Sequence, residues 1–138
     1  MKLRFKRFSY SKCIQKFDVI VFRKTRINEY ICMKIRVISE AKILRYVERN
    51  VQARSSFIIF LSRIKVCDWS SINDLMYDFP NARLLVDCEN KRVIFKIGGN
   101  KYRMICDYNF YKSCCLYVAF IGTHSEYDKV DACRVNTI

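Results

Sequence analysis

The sequence predicts an α+β domain: an N-terminal strand and helices packed on an antiparallel sheet, closed by a short C-terminal helix. Two observations carry this. Before Pro80 the apolar residues recur at helical spacing. After it they alternate or run continuously, as in strands, and turn residues separate the runs.

Each element has its own warrant. MKIRVI, from Met33, is a short apolar strand. Ser39 can cap a helix reaching about Asn50, with Ile43, Leu44 and Val47 on one face. Gln52 to Val66 carries Phe57, Ile58, Phe60, Leu61 and Ile64, a broad apolar face on a second helix, although its β-branched content leaves a strand open. In DWSSINDLMYDFP, Ser71 and Asp74 have capping-box spacing. Ile72, Leu75, Met76 and Phe79 then follow at i, i+3, i+4 and i+7, and Pro80 stops the helix. Trp69 reads as a packing anchor.

Beyond Pro80, RLLVD (83–87) and RVIFKI (92–97) flank a polar turn, with Val93, Phe95 and Ile97 on one face. Gly98, Gly99 and Asn100 form a turn, and KYRMICDY (101–108) alternates. Tyr102, Met104, Cys106 and Tyr108 face one way. Lys101, Arg103, Ile105 and Asp107 face the other. NFYKS turns again, CCLYVAFIG (114–122) suits a central strand, and SEYDKVDACR reads as a final helix.

The 138 residues suit one domain, and the net charge of +13 favours an anionic partner: nucleic acid, ribosome or membrane surface. The charge is uneven. Residues 1–32 hold nine Lys/Arg against Asp18 and Glu29, nine minus two or +7. The remaining 106 hold seventeen against eleven, or +6. Residues 1–32 have no clean period. They read as a basic extension, either disordered or an upstream reading-frame addition with the biological start at Met33; contact with RNA or anionic lipid is the alternative. Residues 33–138 form the domain proper. Eight cysteines, none in a CxxC pair, and one histidine give no zinc-ligand spacing; reduced cytosolic thiols filling the core are expected. No apolar run is long enough for a membrane span or a signal-peptide core, which points to a cytoplasmic protein.

DWSSINDLMYDFPNARLL, VIFKIGGNKYRMI and FIGTHSEYDKVDA, in this order and at this spacing, resemble the HigB family of bacterial toxin–antitoxin systems, within the RelE/ParE superfamily. The resemblance covers Met33 to about Cys133. Phe60 and Leu61 stand where that family often carries an aromatic pair, and GGNKYR and THSEYDK are its most specific stretches. It implies a ribosome-dependent mRNA endonuclease that halts translation. It also implies a helix-turn-helix antitoxin (HigA-like) that neutralises the toxin, with DNA reached only through the antitoxin complex.

Folding strand 101–108 back on 114–122 around residue 111 sets residues 122–124 opposite 98–100, so GGNKYR and THSEYD form one cluster. RNA cleavage can use the ribose 2′-OH as nucleophile and needs no metal or other cofactor. It requires a base, an acid and cations for the charge on phosphorus. His124 suits base or acid, since both imidazole protonation states are accessible near neutral pH. Tyr127 can stack on RNA or donate a proton. Lys101 and Arg103 can hold phosphate, Arg bidentately. Asn100, Lys129 and Asp128 can contact RNA or orient their neighbours. Each has a structural alternative: His124 a surface or capping residue, Tyr127 a packing residue, Lys101 and Arg103 a solvated strand face, Asn100 a turn residue, Asp128 a helix-dipole partner. A non-catalytic binding module, either a decayed toxin or an inhibitor of a protein such as gyrase, is the competing function.

Overall fold

The computed structural model describes residues 35–37, 39–111 and 114–136. The basic extension expected over residues 1–32, and the start expected at Met33, lie outside the described residues. The elements run β1 (Ile35–Val37), α1 (Glu40–Arg49), a 3-10 turn (Val51–Ala53), α2 (Arg54–Lys65), α3 (Ile72–Asp78), β2 (Arg83–Leu85), β3 (Arg92–Ile97), β4 (Tyr102–Asn109), β5 (Cys114–Thr123) and α4 (His124–Tyr127). The strand order is β1-β5-β4-β3-β2. Strands β2 to β5 form the expected antiparallel meander, and β1 lies parallel to β5 at one edge. The architecture is α+β, as expected.

Local chemistry explains most of the helices. In α1, Ile43 and Val47 are buried and Leu44 packs beside them; Ser39 occupies the cap position but its side chain makes no capping bond. In α2 the buried residues are Phe57, Phe60, Leu61 and Ile64. Their i, i+3, i+4, i+7 spacing decides helix over strand. At the start of α3 the Asp74 carboxylate accepts from the Ser70 and Ser71 amides at 2.8 and 3.3 Å, satisfying donors that a helix start would leave open.

Helices α1 to α3 cover one face of the sheet. Phe60 and Phe79 both meet Phe95, with centroids 5.0 and 5.4 Å away, and Trp69 meets Phe79 edge-on at 5.7 Å. Such pairs contribute about 0.5–1.5 kcal/mol each beyond burial. Trp69 is buried as expected and donates Nε1–H to Asp78 Oδ2 at 2.8 Å. Cys106 and Cys114 are buried in the same core.

The opposite face carries a smaller cluster of Ile94, Ile105, Phe120 and Val135, with Tyr127, Val130 and Ala132 against it. The chain beyond α4 makes this cover, and here the sequence reading is corrected. The expected helix over 125–134 is a single turn, and the residues after it continue irregularly across the sheet. Buried Arg92 fixes that path. Its Nη1 donates to the Ala132 and Val135 carbonyls at 2.8 and 2.9 Å, while its Nε donates to Asp107 Oδ1 at 2.6 Å. A regular helix would keep those carbonyls for its own ladder.

Cys88 and Cys133 form a disulfide, against the expectation of reduced cysteines throughout. The β2–β3 turn and the terminal segment meet over one part of the sheet and bring the two Cα atoms to 5.1 Å, although they are 45 residues apart in sequence. Closing a loop of that length removes roughly 4 kcal/mol of unfolded-chain entropy. No helix among the described residues is long and apolar enough to cross a membrane.

Candidate functional site

The β3–β4 reversal uses Gly98 and Gly99 at φ of +67° and +71°, where a β-carbon is strained. A Cβ on Gly98 would also stand 2.8 Å from Ser56 Oγ on α2. The hairpin therefore turns tightly against the helical layer and presents Lys101 at its end.

Strand β5 returns beside β4 and ends at that same rim. Arg103 pairs with Gly122 and Tyr102 with Thr123, and the His124 amide donates to the Lys101 carbonyl at 2.9 Å. The two sequence segments do converge, in a shifted register: Gly122 lies opposite Arg103 rather than Asn100. The strands reverse beyond residue 111, and a bulge between Ile105 and Cys106 leaves Ala119 as an extra residue on β5.

Helix α4 starts at this point because Thr123 and Glu126 form a capping box. Thr123 Oγ1 accepts from the Glu126 amide at 3.2 Å, and Glu126 Oε1 accepts from the Thr123 amide at 2.9 Å. Gly122 makes room: a Cβ there would lie 2.7 Å from both Glu126 Oε1 and Phe120 Cζ. His124 is thereby held at the first helical position with its side chain 45 % exposed, and its Nδ1 lies 3.2 Å from Asp128 Oδ2 one turn on. If Nδ1 donates to that carboxylate, Nε2 is left as the acceptor nitrogen.

Arg103 departs from its expected exposure. It points to the sheet face away from the helices but is only 5 % exposed. Its Nη2 donates to Asn100 Oδ1 at 3.0 Å, and its Nη1 reaches the Asn100 and Tyr102 carbonyls, each at 3.3 Å. The Tyr127 ring centroid lies 5.9 Å from the guanidinium carbon. Tyr127 therefore both packs and shields, and Asn100 holds Arg103 as well as serving the turn. Lys101 and Lys129 are exposed, Lys101 in the turn just ahead of β4 and Lys129 just past α4.

Sequence reasoning passed over Lys96. It is exposed and lies directly opposite Arg103 in the β3–β4 pair, on the same sheet face. The signal was available: alternation in RVIFKI sets Lys96 against Val93, Phe95 and Ile97, and the glycine hairpin carries that face onto Arg103. The rim thus sets Lys96, Lys101 and Arg103 beside two acids, with Lys129 following just past α4. Glu126 is engaged in the cap and Asp128 faces His124, so the local balance favours an anion. No group of three or more potential metal-ligating His, Cys, Asp or Glu side chains occurs among the described residues.

The HigB toxin family model, whose description is the RelE-like toxic component of a toxin–antitoxin system, matches residues 53–130. That span takes in both the glycine hairpin and the α4 segment. No curated protein matches the chain. With more than half of its length matched, and with the fold and the converging segments described above, the chain belongs to the HigB toxin family, the RelE-like toxic components of toxin–antitoxin systems.

Proposed function

We propose that this toxin is a metal-independent endoribonuclease that cuts mRNA on the translating ribosome and so inhibits translation in the cytoplasm. The observation that carries the reading is the His124–Asp128 pair beside a rim of cations, at the exposed end of the β4–β5 hairpin.

The chemistry follows from these parts. Asp128 holds the imidazole so that Nε2 can take the proton of a ribose 2′-OH, and the resulting alkoxide attacks the adjacent phosphorus. Lys96 and Lys101 neutralise the nonbridging oxygens as charge builds on them. Arg103, fixed by Asn100 and covered by Tyr127, adds a positive field from beneath; direct phosphate contact requires the Tyr127 ring to swing aside. Tyr127 offers a face for a base to stack on or a proton for the leaving 5′ oxygen. Lys129 extends the cationic track. The ribosome supplies alignment by presenting a splayed transcript, which raises effective concentration at the site. A helix-turn-helix antitoxin neutralises the toxin, and the pair reaches DNA through that partner.

The test is induction in bacterial cells with 5′-end mapping of transcripts. Growth arrest and cuts confined to translated reading frames are expected from the wild-type chain, and neither from His124→Ala. An RNA profile unchanged by the wild-type chain, alongside intact antitoxin binding, would favour a non-catalytic binding module instead.

A further inference from the structure

The Cys88–Cys133 disulfide joins two regions that no regular element connects. Cys88 lies in the polar turn between β2 and β3, and Cys133 lies in the irregular segment after α4; both are partly exposed. The other cysteines with described side chains differ: Cys106 and Cys114 are buried in the core, and Cys67 and Cys115 are unbridged. The bridged pair therefore sits at the partly exposed surface, where breaking the bond removes nothing from the main core.

What the bond fastens is the cover over the second sheet face. Residues 130–135 lie there with only a few attachments. Val135 is buried against Ile94, Ile105 and Phe120, and Arg92 grips the Ala132 and Val135 carbonyls. The Arg134 and Val135 amides bond only within the segment, to Asp131. Tyr127 belongs to the same cover and also lies over Arg103. Only Asp128 and Lys129 separate Tyr127 from Val130, whose amide donates to the Tyr127 carbonyl at 3.2 Å.

We propose that the Cys88–Cys133 bond is a reversible redox latch that sets how firmly the terminal segment, and with it Tyr127, is held on the sheet. In the oxidised state the segment is tied at Cys133 and clasped by Arg92. A low-molecular-weight thiol opens the latch by exchange: its thiolate attacks one sulfur, forming a mixed disulfide and releasing the other cysteine as a thiolate. A second thiol then displaces the first. Two protein thiols form, the two added thiols leave as their disulfide, and two electrons and two protons pass to the protein. The Arg92 clasp and the packing of Val130, Ala132 and Val135 then hold the segment without a covalent tie, and it opens locally without global unfolding. The consequence for cleavage rests on the endoribonuclease reading, with Tyr127 acting as the stacking face or proton donor: the oxidised toxin keeps that ring ordered and cuts faster than the reduced toxin.

The experiment compares the full chain equilibrated with glutathione disulfide and with dithiothreitol, by amide hydrogen exchange and by cleavage of ribosome-bound mRNA. On reduction, the Arg134 and Val135 amides are expected to exchange about tenfold faster or more while the β4 amides keep their protection, and cleavage is expected to slow. Cys88→Ser/Cys133→Ser should behave as the reduced protein under both conditions, and Cys115→Ser should keep the redox response. Equal exchange in the two wild-type states, or a redox response that survives in the double variant, overturns the latch. Equal cleavage by both states overturns its control of the site. Redox-dependent exchange with no cleavage in either state supports the latch and removes the endoribonuclease reading.

Discussion

The imidazole Nδ1 of His124 lies 3.2 Å from Asp128 Oδ2, across one turn at the exposed end of the sheet. A histidine fixed by a carboxylate through one nitrogen presents the other in a defined tautomer. For the proposed reaction, His124→Ala is expected to lower the single-turnover cleavage rate by about 10²–10⁴. Asp128→Ala should cost less, because it loosens the ring without removing it. Equal rates for wild type and His124→Ala on ribosome-bound mRNA would take the residue out of the mechanism.

Lys96 and Arg103 stand opposite each other across β3 and β4, and among the described residues neither forms an ion pair. An anion relieves two adjacent like charges. Lys96→Ala is therefore expected to weaken RNA binding and to reduce the slope of log affinity against log salt by about 0.7, one single-strand phosphate contact. Fluorescence anisotropy across a salt series measures this, and an unchanged slope would place Lys96 outside the RNA path.

Arg92, held by Asp107 on β4, joins the sheet to the terminal segment through the Ala132 and Val135 carbonyls. Arg92→Ala leaves a part-buried carboxylate and two carbonyls without their donor. The expected loss is about 2–4 kcal/mol, read as a lower urea midpoint. Arg92→Lys should recover only part of it, since one ammonium cannot span the same fork of acceptors.

The core thiols set an alkaline limit. Burial pushes Cys114 up to about 12, and burial with Asp107 beside it pushes Cys106 up as well. Burial, then the Asp78 carboxylate, raises Cys67 to about 11. Above the ordinary thiol value of 9.0 the folded chain keeps protons that the unfolded chain loses. Stability from these groups is therefore complete below that pH and declines as pH rises toward the folded values. Iodoacetamide at neutral pH should label Cys115 ahead of Cys67, Cys106 and Cys114, and peptide mass spectrometry would show the order. Rapid labelling of native Cys106 would contradict its burial.

The sequence by itself determined most of the elements, and the faces of β3 and β4. Helical spacing at Ile72, Leu75, Met76 and Phe79, the Ser71–Asp74 box, the paired glycines and the alternation through Tyr102, Met104 and Cys106 are short-range patterns that each segment imposes on itself. They were enough to bring GGNKYR and THSEYD to one rim. Tertiary structure alone decided the rest: the register that sets Gly122 against Arg103, the folding of Arg103 beneath Tyr127, the meeting of Cys88 with Cys133, and the path that Arg92 imposes on residues 130–135. Each of these depends on which distant groups compete for a side chain's hydrogen bonds or for burial, and a local pattern carries no record of that competition.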